Sequence, residues 1–429
     1  MKIIHVADPA SEAAQLRKAT IIQDSLLEYS KAIMRDVAQH GDPAVLNYTS
    51  KFDGARLDSL QVSEEEMKQA YVQVTKDEIM AVKLMKQRLV KSELTILKRL
   101  KGMVVSSNGV RIDRMVKPVT SVGCYIPGGR ARYPSTVVMC AVPAKVAGVK
   151  RIVALSPPRT DGTIDPLTLV AADICGVDEF YKVGGAQGIA ALAYGTQSIR
   201  PVSKIVGPGG MFVTAAKLVA SAKVSIDMVA GPTELLIYAD ETADSKLIAV
   251  DLISQAEHST DTVCGLVTIS DKLASEVQKH VESTVEKIIR SDIAKKSLEN
   301  NGFIVICSNE SSCIEFVNEF APEHLEIMCK YADAIAKKID SAGLVLVGQY
   351  APSSASDYSL GSNHVLPTLG FGKSRASLSV LDFVKIVNKV KVNKSGLAKV
   401  DRSIREITSA EGLLNHYEAV KARMSEEKE

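Results

Sequence analysis

Of the seven histidines in the chain, four have neighbours that suit them to chemistry. Gln255 and His258 stand three apart at the end of an apolar helical stretch, so they share a helix face. A carboxamide oxygen and an imidazole on one face can both ligate a metal. The same pair also fits an ordinary helix C-terminus, where the dipole favours a histidine. Glu323 and His324 follow Ala321 and Pro322. Adjacent residues on a helix diverge by about 100°, but at a helix start after proline both can face one cleft. A glutamate and a histidine there make an acid/base pair, one for water and one for a hydroxyl. A glutamate in a first helical turn is equally a dipole effect. Asp357 lies in a run of small residues, 351–358, leading to Gly361-Ser-Asn-His364. Such loops more often shape sites than build cores. Asp357 is therefore a candidate metal carboxylate, and His364 a site residue or a loop hydrogen-bonder. Thr408 and Glu411 have capping-box spacing in the last helix. His416 lies five residues past Glu411, about 140° round an ideal helix. The two share a site only if Glu411 opens the helix, or if they serve different atoms of one ligand. His5, His40 and His280 lack polar company and read as solvated or core histidines.

Three glycine loops form a second constellation: Tyr125-Ile-Pro-Gly-Gly129, Val183-Gly-Gly-Ala-Gln187 and Val206-Gly-Pro-Gly-Gly210. Each follows a strand pattern and precedes a helical one. Glycines in that context let a backbone approach a pyrophosphate at a helix N-terminus. None is the full dinucleotide fingerprint, and no acidic residue stands at the usual ribose-binding distance. Each loop alone also reads as a tight turn; three at one sheet edge point to a ligand crevice.

These residues need elements to hold them. From residue 119 short β-branched runs alternate with Ala-rich helical stretches. Val119–Ile126, Arg151–Ser156, Glu179–Val183, Ser203–Val206 and Val224–Asp227 read as strands, with helices between them. Strict alternation with short connections predicts a parallel sheet covered on both faces. A second α/β pattern follows, with strands at Leu235–Ala239, Val263–Ile269, Phe303–Cys307 and Leu344–Val347 and a helix at Lys246–Glu257. Residues 1–60 read as helical and polar, and 63–100 as one or two helices with a Ser63/Glu66 capping box. The expected fold class is α/β: two Rossmann-like, doubly wound units with parallel sheets and a small C-terminal appendage. The division is a helical arm over 1–28, a discontinuous unit from 29–119 and 233–375 carrying the metal and acid/base residues, an inserted nucleotide-binding unit at 120–232, and a strand-plus-helix appendage at 376–429 with a frayed end at Ser425–Glu429.

The chain has 429 residues with 52 basic and 50 acidic side chains, a net charge of +2. Nothing in that balance calls for nucleic acid or an anionic membrane as partner. No apolar run is long enough to span a bilayer, and the N-terminus lacks a signal-peptide pattern. The seven cysteines are odd in number, without a CxxC, mostly in apolar runs. They read as reduced core residues rather than a disulfide or metal site, which makes the cytoplasm the expected compartment.

Taken in order, the motifs resemble the histidinol dehydrogenase family. The series runs Tyr125-Ile-Pro-Gly-Gly, Pro143-Ala-Lys-Val-Ala-Gly148, Val183-Gly-Gly-Ala-Gln-Gly188, Lys204-Ile-Val-Gly-Pro-Gly209 and Asp227-Met-Val-Ala-Gly-Pro-Thr-Glu234. It continues with Ser254-Gln-Ala-Glu-His258, Ala321-Pro-Glu-His-Leu-Glu326, Asp357-Tyr358, Gly361-Ser-Asn-His-Val-Leu-Pro-Thr368 and Ala410-Glu-Gly-Leu413 with His416. The resemblance implies oxidation of L-histidinol through the aldehyde to L-histidine with two NAD reduced, the last step of histidine biosynthesis. It implies one zinc per subunit on Gln255, His258, Asp357 and His416, with His416 and Glu411 reaching across a homodimer. Glu323 and His324 become the acid/base pair. Thr233, Gln255, His258, His324, Asp357, His364, Glu411 and His416 fall where the family holds substrate, and Tyr125, Gln187 and Gly210 where it contacts NAD. Two positions depart from the family pattern: Gly210 replaces the usual Asn, and Thr233 the usual Ser. The competing readings are a zinc/NAD dehydrogenase of another small polyol or amino alcohol, and a non-catalytic zinc-binding paralogue.

Overall fold

A computed structural model describes residues 1–17, 24–128 and 132–424. Gly129, residues 18–23 of the expected N-terminal arm and the tail Ser425–Glu429 lie outside the described residues. In chain order the strands are Lys2–Val6 (β1), Met103–Ser107 (β2), Val110–Pro118 (β3), Ser121–Tyr125 (β4), Arg151–Ser156 (β5), Glu179–Lys182 (β6), Lys204–Val206 (β7), Ser225–Ile226 (β8), Glu234–Ala239 (β9), Val263–Thr268 (β10), Phe303–Cys307 (β11), His324–Met328 (β12), Leu344–Val347 (β13) and Val384–Val392 (β14).

They form a five-stranded sheet, β6-β5-β4-β7-β8, a six-stranded sheet, β1-β11-β10-β9-β12-β13, and a three-stranded sheet, β14-β3-β2. Every pairing in the first two is parallel. The third is antiparallel. Strands such as Phe-Ile-Val-Ile-Cys and Glu-Leu-Leu-Ile-Tyr-Ala are buried along their whole length, as a sheet covered on both faces requires. Successive side chains then serve opposite cores. In the smaller sheet Val122, Cys124, Ile152 and Ala154 pack with helices Pro134–Ala147 and Pro166–Cys175. Tyr125, Val153 and Leu155 pack on the other face with Gly185–Tyr194 and Met211–Ala220. The larger sheet divides likewise: Leu235 and Ile237 face helix Ser245–Ala256, while Leu236 and Tyr238 face helix Glu310–Phe320.

Four expectations change. The start of the chain is a strand, not part of a helical arm: Lys2–Val6 pairs along β11 at the sheet edge. An edge strand is half solvated, so its sequence is mixed and lacks a strand's full apolar signature. The helices between Asp24 and Leu97 cover the five-stranded sheet rather than the six-stranded one. Ile33, Met34, Val37, Ala44 and Val45 pack under one face of the five-stranded sheet, and Ala70, Val82, Met85 and Leu89 under the other. An amphipathic stripe states that a face is buried but not against which sheet. His324 opens a strand, β12, with Glu323 directly before it, rather than a helix. Its five residues are all buried and so carry no helical or alternating period. Finally, Thr408 and Glu411 do not begin a helix. Asn393 caps helix Lys394–Ala410, whose C-terminal cap is Glu411, and a separate helix, Leu414–Lys421, carries His416. The capping box at Ser63/Glu66 is formed as expected.

Candidate active site

A cleft of about 730 Å³ runs between the two parallel sheets. Its walls include Gly207, Gly209 and Gly210 from the smaller sheet and Thr233, Gln255, His258, Glu323, His324, Asp357 and His364 from the larger unit. The glycine loop follows the C-terminal end of β7. Glu323 and His324 sit instead at the N-terminal edge of the six-stranded sheet, where β9 and β12 begin.

Parallel pairing of β9 with β12 sets His324 opposite Leu235, and so brings Glu323 beside Glu234. Glu323 Oε2 accepts from the Thr233 hydroxyl at 2.6 Å and from the Glu234 backbone N–H at 2.7 Å. Thr233 accepts in turn from the Gln255 amide nitrogen at 2.8 Å. That bond uses the nitrogen end of the carboxamide and leaves its oxygen for a cation or substrate. His324 Nδ1 lies 3.2 Å from the Glu234 carbonyl oxygen, and its Nε2 faces Asp357 Oδ1 at 3.5 Å. His324 Nε2 and Asp357 Oδ1 are both buried without a hydrogen-bond partner. Buried orphans of this kind ask for a ligand. Asp357 directly follows the short helix Ser353–Ser356, whose first N–H donates to Glu326 Oε1 at 2.6 Å. His364 Nδ1 meets the Asp357 carbonyl oxygen at 2.8 Å, and its Nε2 lies 3.4 Å from the Thr136 hydroxyl.

The electrostatics separate the two neighbours. Burial pushes Glu323 up to about 7, more than His324, Thr233 and the Glu234 N–H draw it down. Burial opposes the His324 imidazolium, yet the carboxylates of Glu323 and Asp357 outweigh it and raise the group to about 9. Burial also pushes Asp357 up, but His324 prevails and the carboxyl lies below its ordinary value.

Gln255, Asp357 and the rim residue His258 thus reach one cleft, and their oxygen and nitrogen donors suit zinc. They are three of the four residues that the family resemblance assigns to zinc. Among the described residues no group of three or more His, Cys, Asp or Glu side chains is placed to hold a metal. Glu411 and His416 do not line the cleft of their own chain; both are exposed on the C-terminal helices. On the smaller sheet, the Tyr125 hydroxyl accepts from Gly185 N–H at 3.2 Å. Gln187 is 1% exposed, and neither its Nε2 nor its Oε1 has a partner. Tyr125 and Gln187 lie behind the glycine turns rather than on the cleft wall, which Gly210 does line. A Cβ built at Gly210 would meet nothing within 4 Å, so the site has room for a larger residue there.

Several residues escaped the sequence reading. Lys217 and Asp227 form a fully buried ion pair at 2.5 Å under the Gly207 turn. Lys217 donates to the Gly207 carbonyl oxygen at 2.9 Å, and Asp227 accepts from the Gly207 N–H at 2.7 Å. Gly207 has φ 115°, and a Cβ there would strike the Tyr125 carbonyl oxygen. A lone Lys in a helix and an Asp ten residues on give no local sign of this pairing. Glu234 and Arg17 are likewise silent in sequence.

The histidinol dehydrogenase family model matches residues 16–424. The histidinol dehydrogenase of Methanocaldococcus jannaschii is 42% identical over 401 residues, 94% of this chain and 93% of that protein. That of Clostridium acetobutylicum is 43% identical over 398 residues, 93% and 92% of the two chains. The crystal structure of histidinol dehydrogenase from Elizabethkingia anophelis superposes with a TM-score of 0.92 at 34% identity, covering 99% of this chain and 98% of the other. Agreement at this level along almost the whole length, in sequence and in fold, means that the chain belongs to the histidinol dehydrogenase family.

Proposed function

We propose that this chain is a zinc-dependent dehydrogenase that oxidises L-histidinol through L-histidinaldehyde to L-histidine and reduces two NAD, closing histidine biosynthesis. The observation that carries this reading is the paired seating of Glu323 and His324 at the head of β12, opposite Asp357.

In the first oxidation His324 takes the hydroxyl proton as hydride leaves the carbinol carbon for the nicotinamide. In the second, Glu323 takes a proton from water as its oxygen adds to the aldehyde carbon, and His324 returns a proton to the aldehyde oxygen; the resulting gem-diol loses hydride to a second NAD and a proton to the pair, leaving the carboxylic acid. A cysteine nucleophile is not needed: the described cysteines are buried apart from Cys329, which is half-buried, and none lines the cleft. Gln255, His258, Asp357 and a partner's His416 would hold zinc. When bound, zinc would anchor the substrate's amino and imidazole nitrogens and draw charge from Asp357, so that His324 can be neutral and act as a base. Thr233, His364 and a partner's Glu411 would complete the substrate pocket.

The smaller sheet supports a Rossmann-like, NAD-binding role for 120–232. Its strands run third-second-first-fourth-fifth from β6 to β8, and the chain reverses between β4 and β7, the switch point at which such sheets bind dinucleotides. Tyr125, Gln187 and Gly210 all lie at that edge. For the homodimer, support comes from the C-terminal unit. It carries exposed Glu411 and His416, and its strand β14 pairs through β3 with β2 so that Ile386 and Val390 stand exposed on one face with Val105, an apolar surface that a monomer would rarely leave open. No helix among the described residues is long and apolar enough to cross a membrane, and a cytoplasmic location is part of the proposal.

A spectrophotometric assay tests the reading. Purified, zinc-loaded protein given L-histidinol and NAD should form two NADH per L-histidine. No NADH, or one NADH with aldehyde as the end product, rejects it.

A further inference from the structure

The proposed water base is itself held by a second buried glutamate. Glu234 opens β9 and is 1% exposed. Its backbone N–H donates to Glu323 Oε2 at 2.7 Å, and the Glu323 N–H donates back to Glu234 Oε2 at 3.2 Å. Each residue's carboxylate thus takes the other's N–H at the point where the strand ladder begins. The second oxygen, Glu234 Oε1, accepts from Leu369 N–H at 3.0 Å and from Arg17 Nη1. Arg17 also donates from Nε to the Phe320 carbonyl oxygen at 3.0 Å and from Nη2 to that of Ala321 at 3.2 Å. Its guanidinium lies 3.8 Å over the Phe320 ring. One fork therefore clamps the turn that delivers Glu323 and supplies the countercharge a buried carboxylate needs.

We propose that Glu234, held by Arg17, is a positioning residue for aldehyde oxidation: it fixes the backbone of Glu323 and so the carboxylate that activates water. This rests on the reading of Glu323 as the water base. The selectivity follows from the contacts. His324 is seated on the Glu234 carbonyl oxygen, at 3.2 Å, which any side chain at 234 preserves. Glu323 depends on the Glu234 carboxylate. At 234 a glutamine puts an NH2 in place of one oxygen, so either Glu323 N–H or both Arg17 and Leu369 N–H lose their acceptor. The charged groups facing Glu323 among the described residues are His324 on its own strand and Glu234 with Arg17 behind it.

The test uses full-length, zinc-loaded Glu234→Gln and Arg17→Met, each assayed for NADH formation from L-histidinol and, separately, from L-histidinaldehyde. For Glu234→Gln the expected result is a fall in kcat for the aldehyde on the order of 10- to 100-fold, with KM for the aldehyde and kcat for the alcohol step near those of the unmodified enzyme. The acidic limb of the aldehyde pH profile should move down in Glu234→Gln, which removes a negative neighbour. It should move up in Arg17→Met, which strips that neighbour of its countercharge. Equal loss of both half-reactions, or limbs that stay put or move together, overturns the proposal. If Glu234→Gln does not fold, Arg17→Met decides by the same criteria. Glu323→Gln runs alongside: if it loses both half-reactions equally, the water-base reading fails and this proposal with it. If it is selective and Glu234→Gln is not, only this proposal fails.

Discussion

Glu323 and His324 are neighbours in the chain, yet their surroundings push them in different ways. Glu323 is buried against a hydroxyl and a backbone N–H, and burial lifts it to about 7. His324 stands between two carboxylates, which overcome burial and lift it to about 9. A base must be unprotonated to act, so aldehyde oxidation should fall as pH drops through the Glu323 value. A pH–rate profile for the aldehyde, flat between pH 6 and 8, would reject that assignment. At the same scale, Glu323→Gln should cost aldehyde oxidation on the order of 10²- to 10⁴-fold and alcohol oxidation far less, read as NADH from each substrate. Asp357 is a candidate ligand whose buried Oδ1 has no hydrogen-bond partner among the described residues, only His324 Nε2 at 3.5 Å. Chelation should therefore abolish activity, zinc should restore it, and Asp357→Asn should lower bound zinc per chain by metal analysis. Retention of both zinc and activity in Asp357→Asn would count against the ligand set.

At the level of elements, the site is built where two strands begin. Thr233 precedes β9, Glu323 precedes β12, and Gln255 ends the helix that crosses between β9 and β10. That places the acid/base residues at the N-terminal edge of their sheet, the opposite end from the one where α/β folds usually bind ligands. The smaller sheet keeps the usual arrangement, and its C-terminal edge faces the same cleft. Packing between elements carries its own prediction. Glu93, on helix Lys76–Leu97, accepts from Val380 N–H at 2.6 Å, and burial raises it from 4.5 to about 7. A carboxyl with a raised folded value binds its proton more tightly in the native state. Its stabilising contribution is complete below the unfolded value and is lost as pH rises from 4.5 through about 7, a difference of roughly 3 kcal/mol. Glu93→Gln keeps an acceptor and removes the titration. It should raise the melting temperature at pH 8 and leave it unchanged at pH 5; equal effects at both would refute the linkage.

For the whole molecule, Glu411 and His416 are exposed and do not line the cleft of their own chain. The proposed exchange between subunits brings them to the partner's cleft and can be measured. Asp357→Asn and His416→Ala, each inactive alone, should regain about a quarter of full activity when unfolded together and refolded as statistical mixed dimers. No recovery would place His416 outside the partner's site. The ordered motifs made the family, the α/β class and most strands legible in sequence, because parallel strands buried on both faces are continuous apolar runs. Gln255 and His258 were legible as a pair because a helix end fixes their spacing. Glu323 and His324 read as an acid/base pair by residue type, while the structure puts them at the start of a strand rather than of a helix. The tertiary structure alone decided which sheet the N-terminal helices cover, that Lys2–Val6 is an edge strand, and how Glu234, Arg17 and Lys217 are paired. Apolar period records that a face is buried, whereas the partner of a buried charge is chosen by contacts between segments far apart in the chain, for which local sequence holds no signal.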